Sequence, residues 1–339
     1  MKRKLTLYIL LIALIIWGVP FFTGKLVAYN FNAFVNAVSQ NENIAVAVVS
    51  YKSGWRQSVA RTRVTLTGGW LKQFIEELQE EAAGKENPQK AQAGPLSFIL
   101  EHEIRHGPFV QVTPKNHKDW IFAKALIQSK LEISNSAKTI LQKEIGHADL
   151  FTFTTQLDLD GKMHLDWVSD PVSLEIAGET HPFWEGMKGH WNIGAHFKTL
   201  EGELRLFGFH FQTENARYQA HEIFIQSKRF VTPKGVKKGA DLITTTLFEL
   251  QRKQSLPMKF EGVKISREIN PAKPVVSSSI SIQKLLIGDL TFDTIRLKEN
   301  SPEESKPLIL KAQNETVELR WQKGRLSVNG EVLPFPAIY

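Results

Sequence analysis

Short runs in which apolar and polar residues alternate are the feature that most constrains the fold of this chain. Residues 151–158 (FTFTTQLD) alternate, Asp160-Gly161 supplies a turn, and residues 162–167 (KMHLDW) resume the pattern. A period of two is typical of a half-buried strand, and Asp-Gly between two such runs is a strong hairpin signal. We therefore predict an antiparallel β-hairpin at this place.

Similar runs recur along most of the sequence. They occupy residues 44–50, 61–67, 190–197, 202–211, 260–266, 280–297, 316–322 and 325–328. Ser53-Gly54 supplies a turn between the first two runs. Many short strands at this spacing predict a β-dominated α+β fold, with an extended, twisted, mainly antiparallel β-sheet body and a few helices.

Four segments have the residue spacing of helices. Residues 70–83 (WLKQFIEELQEEAA) are the clearest, because the apolar residues form one stripe and the acids lie on the other side. Residues 25–37 have a roughly helical spacing and are predicted to continue the N-terminal segment as a short amphipathic helix. Residues 139–146 and 244–256 are weaker helix candidates.

The N-terminus combines a basic cluster with an apolar run. Lys2, Arg3 and Lys4 precede residues 5–22, which contain no charged side chain. As a helix this run would rise about 27 Å, close to the ~30 Å hydrocarbon core of a bilayer. No A-x-A-like cleavage site follows, so we predict an uncleaved transmembrane signal anchor, with a removed signal peptide as the alternative.

The anchor sets the predicted division of the chain. Because the positive-inside rule keeps the basic cluster in the cytoplasm, the remainder is expected on the far side of the membrane. Residues 1–25 are then a cytoplasmic tip and transmembrane helix, and residues 26–339 form one β-rich domain. No second run of this length and apolarity occurs, so a single span is predicted.

Composition narrows the classes of function. Of the 339 residues, 42% are hydrophobic, which is enough for a sizeable core, and the formal net charge is +7. This basic balance suits work near an anionic membrane surface, whereas no nucleic-acid-binding motif accompanies it. The chain has no cysteine, which excludes disulfides, thiolate zinc sites and thiol nucleophiles.

One stretch resembles a metalloprotease motif. Residues 101–109 (EHEIRHGPF) contain H-E-x-x-H, with His102 and His106 as candidate zinc ligands and Glu103 as the candidate general base. That chemistry requires a helix, in which the two histidine side chains lie about 6 Å apart on one face. However, Gly107-Pro108 would end such a helix at once, and no third histidine follows at the extended spacing.

The same stretch also has the pattern of a half-buried strand. His102 and His106 would then share a face but lie about 13 Å apart, too far to bind one ion, and Glu103 would point away from both. The alternation favours the strand. We therefore predict no metal or catalytic residue here and no cofactor, and a membrane-anchored zinc hydrolase is the alternative.

Two charged groups carry weaker signals. Asp158, Asp160 and Asp166 flank the predicted hairpin and suit either a divalent cation or a plain solvated turn. Residues 227–238 (SKRFVTPKGVKK) are predicted to be a basic loop, which either contacts anionic headgroups or stays solvated. Neither a phosphate-binding loop nor a G-x-S-x-G nucleophile elbow occurs in the chain.

Four landmarks together resemble the YdgA-like bacterial proteins, a domain-of-unknown-function family of Gram-negative envelopes. The first is Thr23-Gly24-Lys25, directly after the apolar run. The second is residues 51–61 (YKSGWRQSVAR), in which Tyr51, Gly54, Trp55 and Ser58 carry the pattern. The others are His106-Gly107-Pro108 and the terminal Asn329-Gly330.

This resemblance implies a protein of the bacterial inner membrane, with a single span and the bulk of the chain in the periplasm. It brings no established reaction, cofactor or catalytic residue. The expected function is therefore a non-enzymatic binding or assembly factor of the envelope. The membrane is its expected partner, together with a lipid, a peptide or another envelope protein.

Overall fold

A long antiparallel β-sheet dominates the computed structural model. The structure describes residues 22–36, 39, 44–67, 97–112, 119–132, 151–176, 179–212, 216–231, 237–253, 255–269, 277–299, 307–312, 315–322 and 325–333. Fifteen strands form the main sheet, four form a small C-terminal sheet and two form a separate hairpin. The predicted β-dominated class, with a large antiparallel sheet, is confirmed.

Eleven strands make up the N-terminal part. They are β1 (Ile44–Lys52), β2 (Gln57–Leu66), β3 (Ser97–His106), β4 (Phe109–Val112), β5 (Asp119–Phe122), β6 (Ala125–Glu132), β7 (Thr152–Leu157), β8 (Met163–Ser169), β9 (Val172–Ile176), β10 (Glu179–Trp184) and β11 (Met187–Ile193). A short 3₁₀ helix, Ala195–Phe197, follows β11.

Ten strands make up the rest, of which the first six are long and the last four are short. They are β12 (Thr199–Gln212), β13 (Ala216–Val231), β14 (Lys237–Arg252), β15 (Met258–Ile269), β16 (Ser277–Ile287), β17 (Leu290–Glu299), β18 (Leu308–Ala312), β19 (Glu315–Gln322), β20 (Arg325–Val328) and β21 (Glu331–Val332). The main sheet has the order β1-β2-β3-β6-β7-β8-β11-β12-β13-β14-β15-β16-β17, and β9 and β10 branch from β12. Every pair within it is antiparallel.

The turn chemistry explains this meander. In the predicted hairpin, the Asp158 amide donates to the Lys162 carbonyl across 2.8 Å. Gly161 takes a φ of 87°, a left-handed conformation that glycine adopts without steric cost. The hairpin between β7 and β8 thus forms where the Asp-Gly signal predicts it.

A helix, α1, covers the N-terminal half of one sheet face. It spans residues 22–36, so the amphipathic segment predicted over residues 25–37 is helical as far as residue 36. Val27, Phe31 and Val35 recur every four residues and are buried against the sheet. Their core partners are Ala60, Ile104, Ala125, Leu157 and Met163. We call the face that α1 covers the inner face and its opposite the open face.

None of the helices within the described residues is long and apolar enough to cross a membrane. The predicted anchor over residues 5–22 lies almost wholly outside those residues, as do the predicted helices at residues 70–83 and 139–146.

The small sheet of β18–β21 covers the inner face at its other end. Leu319, Trp321 and Leu326 are buried there against β13–β17, in a core that includes Phe260 and Leu285. The Trp321 indole Nε1 donates to Ser278 Oγ across 2.9 Å. That hydroxyl in turn donates to the buried Glu299 carboxylate across 2.9 Å, so the buried polar atoms of this contact are paired.

A row of unpaired residues crosses the six long strands β12–β17. In four of the five pairings the register skips one residue in both strands, and between β13 and β14 it skips two. The residues skipped in those four pairings are Phe207, Glu222, Thr246, Gly262, Gln283 and Thr294, and we call this row the crease. Buried positions change from even to odd numbers across it, from Tyr218 and Ala220 to Ile223 in β13. The apolar side therefore stays on the inner face along the whole strand.

The crease explains one wrong prediction. Residues 244–256 were expected to be a helix, but residues up to Arg252 belong to strand β14. Because Thr246 is an extra residue, the apolar positions Ile243, Leu247 and Leu250 have the spacing of a helical stripe. In the strand, the buried positions are instead Ile243, then Phe248 and Leu250.

The predicted basic loop at residues 227–238 is also partly wrong. Strand β13 runs to Val231 and β14 begins at Lys237, so most of that segment is strand. Lys228 pairs with Glu201 at 2.8 Å, and Arg229 pairs with the buried Asp241 at 2.7 Å. Both cations thus have carboxylate partners within the sheet.

Candidate functional site

The H-E-x-x-H stretch lies on strand β3, not on a helix. His102, Ile104 and His106 face inward and are buried. Glu103 faces the other way and pairs with Arg105 at 2.7 Å. Four residues along a strand span about 13 Å, so the two histidines cannot share one ion and Glu103 cannot act between them. The geometry of a zinc protease is therefore not present at this stretch.

His102 is a buried polar residue with two partners. Its Nε2 lies 2.7 Å from Thr62 Oγ1 and its Nδ1 lies 2.7 Å from Ser129 Oγ. Hydroxyls both donate and accept, so the neutral imidazole is fully satisfied. The Phe31 ring of α1 packs edge-on against it, with ring centroids 5.2 Å apart. Burial lowers the pKa of His102 to about 4.

His106 connects α1 to the strand hairpin. Its Nε2 lies 3.1 Å from Ser58 Oγ on β2. Gly24 of α1 lies directly over the ring, because a Cβ at that position would be 2.6 Å from His106 Cε1. Only glycine allows the helix to approach this closely. The sequence landmarks Gly24, Ser58 and His106 are thus brought together in one place.

The neighbouring landmarks shape the same region. The Tyr51 ring packs against Phe31 at a tilt of 51°, with centroids 5.9 Å apart. Burial raises the pKa of its hydroxyl, an effect that the hydrogen bond with Ser58 partly offsets. The Gly54 amide donates to Ser58 Oγ across 3.4 Å. Trp55 is 41% exposed and contacts Arg56, so it lies at the rim. These residues form a structural junction between α1 and the sheet.

The turn after His106 has a specific backbone geometry. Gly107 has a φ of 136° and its amide donates to the Lys124 carbonyl across 3.1 Å. Pro108 then leads into β4, where Phe109 is 61% exposed. The His-Gly-Pro element therefore ends strand β3 and redirects the chain.

The terminal landmark lies elsewhere. Asn329 and Gly330 form the turn between β20 and β21, with φ values of 50° and 84°. The Asn329 side-chain oxygen accepts from the Glu318 amide across 2.8 Å. Asn-Gly suits a tight hairpin turn with two positive φ angles. The landmarks therefore mark a helix–sheet junction and a separate turn, not a single catalytic constellation.

Similarity to known proteins fits this description. A family model described as "Bacterial protein of unknown function (DUF945)" matches residues 1–300. The chain belongs to this family. No curated protein and no solved structure matches it. Within the DUF945 match lie the landmarks up to Pro108, whereas Asn329-Gly330 lies beyond it. The finer YdgA-like name stays a prediction.

The open face carries a groove that the sequence patterns did not predict. It has a volume of about 1120 Å³ and crosses strands β11 to β17. Lysine, glutamate and serine side chains line it, among them Glu203, Lys264, Ser266, Glu268 and Ser279. The sequence does not indicate this groove because these residues occupy the polar positions of ordinary alternating strands. Only the strand order brings them together.

The three acids of the β7–β8 hairpin have separate partners. Asp160 pairs with Lys162 at 2.6 Å, and both its side chain and that of the lysine are more than half exposed. The hydrogen bonds from Lys162 lower the pKa of Asp160. Asp158 and Asp166 instead contact two histidines, His164 and His190. The three carboxylates therefore do not meet at one point.

Proposed function

We propose that this chain is a non-enzymatic binding factor of the bacterial envelope, whose open-face groove holds an extended segment of another polypeptide. One observation carries the proposal: the groove is long, open and lined by charges of both signs. At a strand spacing of about 4.8 Å, the seven strands from β11 to β17 span roughly 29 Å. That length accommodates about nine residues of extended chain.

The size of the groove favours a polymer over a small molecule. Pockets for small ligands are concave, mostly apolar and about 300–1,000 Å³ in volume. This groove, at about 1120 Å³, lies at the upper end of that range, and charged and hydroxyl-bearing residues make up most of its lining. A lipid acyl chain would desolvate these lysine and glutamate side chains without offering them partners, which is unfavourable.

The charge pattern specifies the partner further. Lys264 and Glu268 lie on the same strand, β15, and Ser266 lies between them on the same face. Interleaved charges of this kind favour a partner that carries both signs, such as a polypeptide, over a uniformly anionic polymer. Ser266 and Ser279 lie directly opposite each other, with hydroxyls 2.8 Å apart.

The proposal includes membrane attachment and location. Residues 5–22 serve as a single inner-membrane anchor, with the basic residues Lys2 to Lys4 in the cytoplasm and the sheet in the periplasm. The apolar run and the basic cluster support this arrangement. A reporter enzyme that folds only outside the cytoplasm, fused after Tyr339, is expected to be active. Activity of a cytoplasmic reporter alone at this position would contradict the location.

In-cell photo-crosslinking tests the groove. A photoreactive amino acid at Ser266 or Ser279 is expected to give a discrete protein adduct. The same residue at Val49, which is 46% exposed on the distant strand β1, is expected to give none. Reversing the two charges, with Lys264→Glu and Glu268→Lys, should reduce the adduct yield, because the partner charges then face like charges.

Three outcomes would overturn the proposal. Equal adducts at Ser279 and Val49 would show no preference for the groove. Adducts that contain glycan instead of protein would show that the partner is a polysaccharide and not a polypeptide. A lipid that co-purifies with the wild type, and is lost when Lys264 and Glu268 are reversed, would assign the groove to lipid binding.

A further inference from the structure

Two histidines on the open face form a cluster with two carboxylates and one amide. His164 lies on β8 and His190 on β11, at diagonal positions of neighbouring strands. His164 Nε2 is 3.0 Å from Asp158 Oδ2. His190 Nδ1 is 2.7 Å from Asp166 Oδ1. One nitrogen of each ring therefore faces its own carboxylate.

The other two ring nitrogens point to the same place. His164 Nδ1 lies 2.5 Å from Asn192 Oδ1, and His190 Nε2 lies 3.2 Å from the same atom. A carboxylate is acceptor-only, so it takes the N–H of a neutral imidazole. The nitrogens that face Asn192 are then lone-pair acceptors directed at its amide, whose NH₂ group can donate to them when the amide is flipped. The same two lone pairs can instead bind a cation.

A metal ion is a positive group that this donor set suits. Histidine ligands commonly donate their second N–H to a carboxylate, which fixes the ring and raises its basicity. Both Asp158 and Asp166 are placed for this role. We propose that His164 Nδ1, His190 Nε2 and the Asn192 side chain bind one divalent transition-metal ion on the open face, with water completing its coordination.

The arrangement of the rings indicates which ion. The two imidazole centroids are 6.3 Å apart and the planes differ by 17°. With metal–nitrogen bonds of about 2.0–2.1 Å, two rings on opposite sides of one ion have centroids about 6.4 Å apart. Tetrahedral Zn²⁺ would bring the rings closer. Imidazole and amide-oxygen donors suit Cu²⁺, which also stands highest in the affinity order of the divalent first-row metals, so Cu²⁺ is the expected ion.

The surroundings favour a cation. Glu203 of β12 lies directly opposite His190 in the sheet, whereas Glu201, opposite Asn192, is already paired with Lys228. Among the residues that the structure describes, no three His, Asp or Glu side chains converge on one point. The third donor of the proposed site is an amide oxygen, not a carboxylate or an imidazole. His190 and Asn192 also line one end of the groove, but the site does not depend on a polypeptide occupying it.

Copper titration of the full chain tests the site. The protein is purified in mild detergent without a polyhistidine tag and titrated with Cu²⁺ by calorimetry and electron paramagnetic resonance. One Cu²⁺ per chain is expected, with a tetragonal spectrum split by two nitrogens. His164→Ala and His190→Ala should each weaken binding at least about 100-fold, since removal of even an outer partner costs about 10–100-fold.

Two further variants separate a real site from misfolding. Asn192→Asp should tighten binding at least about tenfold, because a carboxylate replaces the amide oxygen; a damaged fold cannot produce this gain. His221→Ala, a matched control at another half-exposed histidine, should bind Cu²⁺ like the wild type. Binding that survives both His164→Ala and His190→Ala, or binding that is absent from wild type and from Asn192→Asp, would overturn the proposal.

Discussion

Acidification should weaken the packing of α1 on the sheet through His102. This side chain is 7% exposed, and its two hydroxyl partners satisfy the neutral ring. Burial lowers its pKa from the usual 6.5 to about 4 in the folded protein. The unfolded chain therefore takes up a proton at a higher pH than the folded chain does.

The sign and size of the effect follow from this difference. Between pH 6.5 and pH 4 the unfolded state binds more protons, so the stability that His102 contributes above pH 6.5 is lost as the pH falls. With about 1.36 kcal/mol for each pKa unit, the loss is about 2 kcal/mol at pH 5 and about 3 kcal/mol at pH 4.

Urea unfolding of the wild type and of His102→Gln measures the effect. Carboxylate titration affects both proteins equally, so it cancels in the difference between them. The wild type should lose about 3 kcal/mol more than the variant between pH 7 and pH 4. His196→Gln, at an exposed position, is the matched control and should follow the wild type. Parallel pH curves for wild type and His102→Gln would refute the reasoning.

Two further predictions concern glycine positions. Gly24→Ala should lower the free energy of unfolding by about 1–2 kcal/mol despite the higher helix propensity of alanine, because its Cβ would lie 2.6 Å from the His106 ring. Thermal melts measure this effect. Asn32→Ala, on the exposed side of α1, is the control and should be neutral or slightly stabilising. Thr294→Gly should raise stability by about 1 kcal/mol, because this β-branched residue has a φ of 55°. Gly262→Ala should do the opposite, since its φ is 61° and its Cβ would meet Gln283; equal effects of the two changes in urea unfolding would contradict the backbone argument.

Local patterns predicted most of the strands, because alternation and turn residues act over a few positions. The Asp160-Gly161 hairpin and the strand at residues 97–106 follow from such signals. The helix at residues 25–37 was likewise visible from its spacing. The crease was not, because one extra residue per strand disrupts the period of two, and only Gly262 in β15 carries the glycine signal of a bulge.

The sequence patterns did not predict contacts between residues that are far apart in the chain. Thr62 and Ser129 lie 40 and 27 positions from His102, and nothing local marks them as its partners. The same holds for His164 and Asn192, which meet only because β8 and β11 are neighbours. Gly24, Ser58 and His106 stood out as sequence landmarks. Their mutual contact depends on the placement of α1 over the His106 ring, which no local pattern predicts.

The crease also limits how the gene for this protein can change in length. Deletion of one codon from any single strand among β12–β17 would move the side chains of half of that strand to the opposite face of the sheet. Side chains such as Ile295 and Leu297 would then be exposed to water. Compensation would require the loss of the facing residue in each neighbour, and so on across six strands. Insertions and deletions are therefore expected in the connecting loops. The number of strand residues on each side of the crease is expected to stay constant in all six strands.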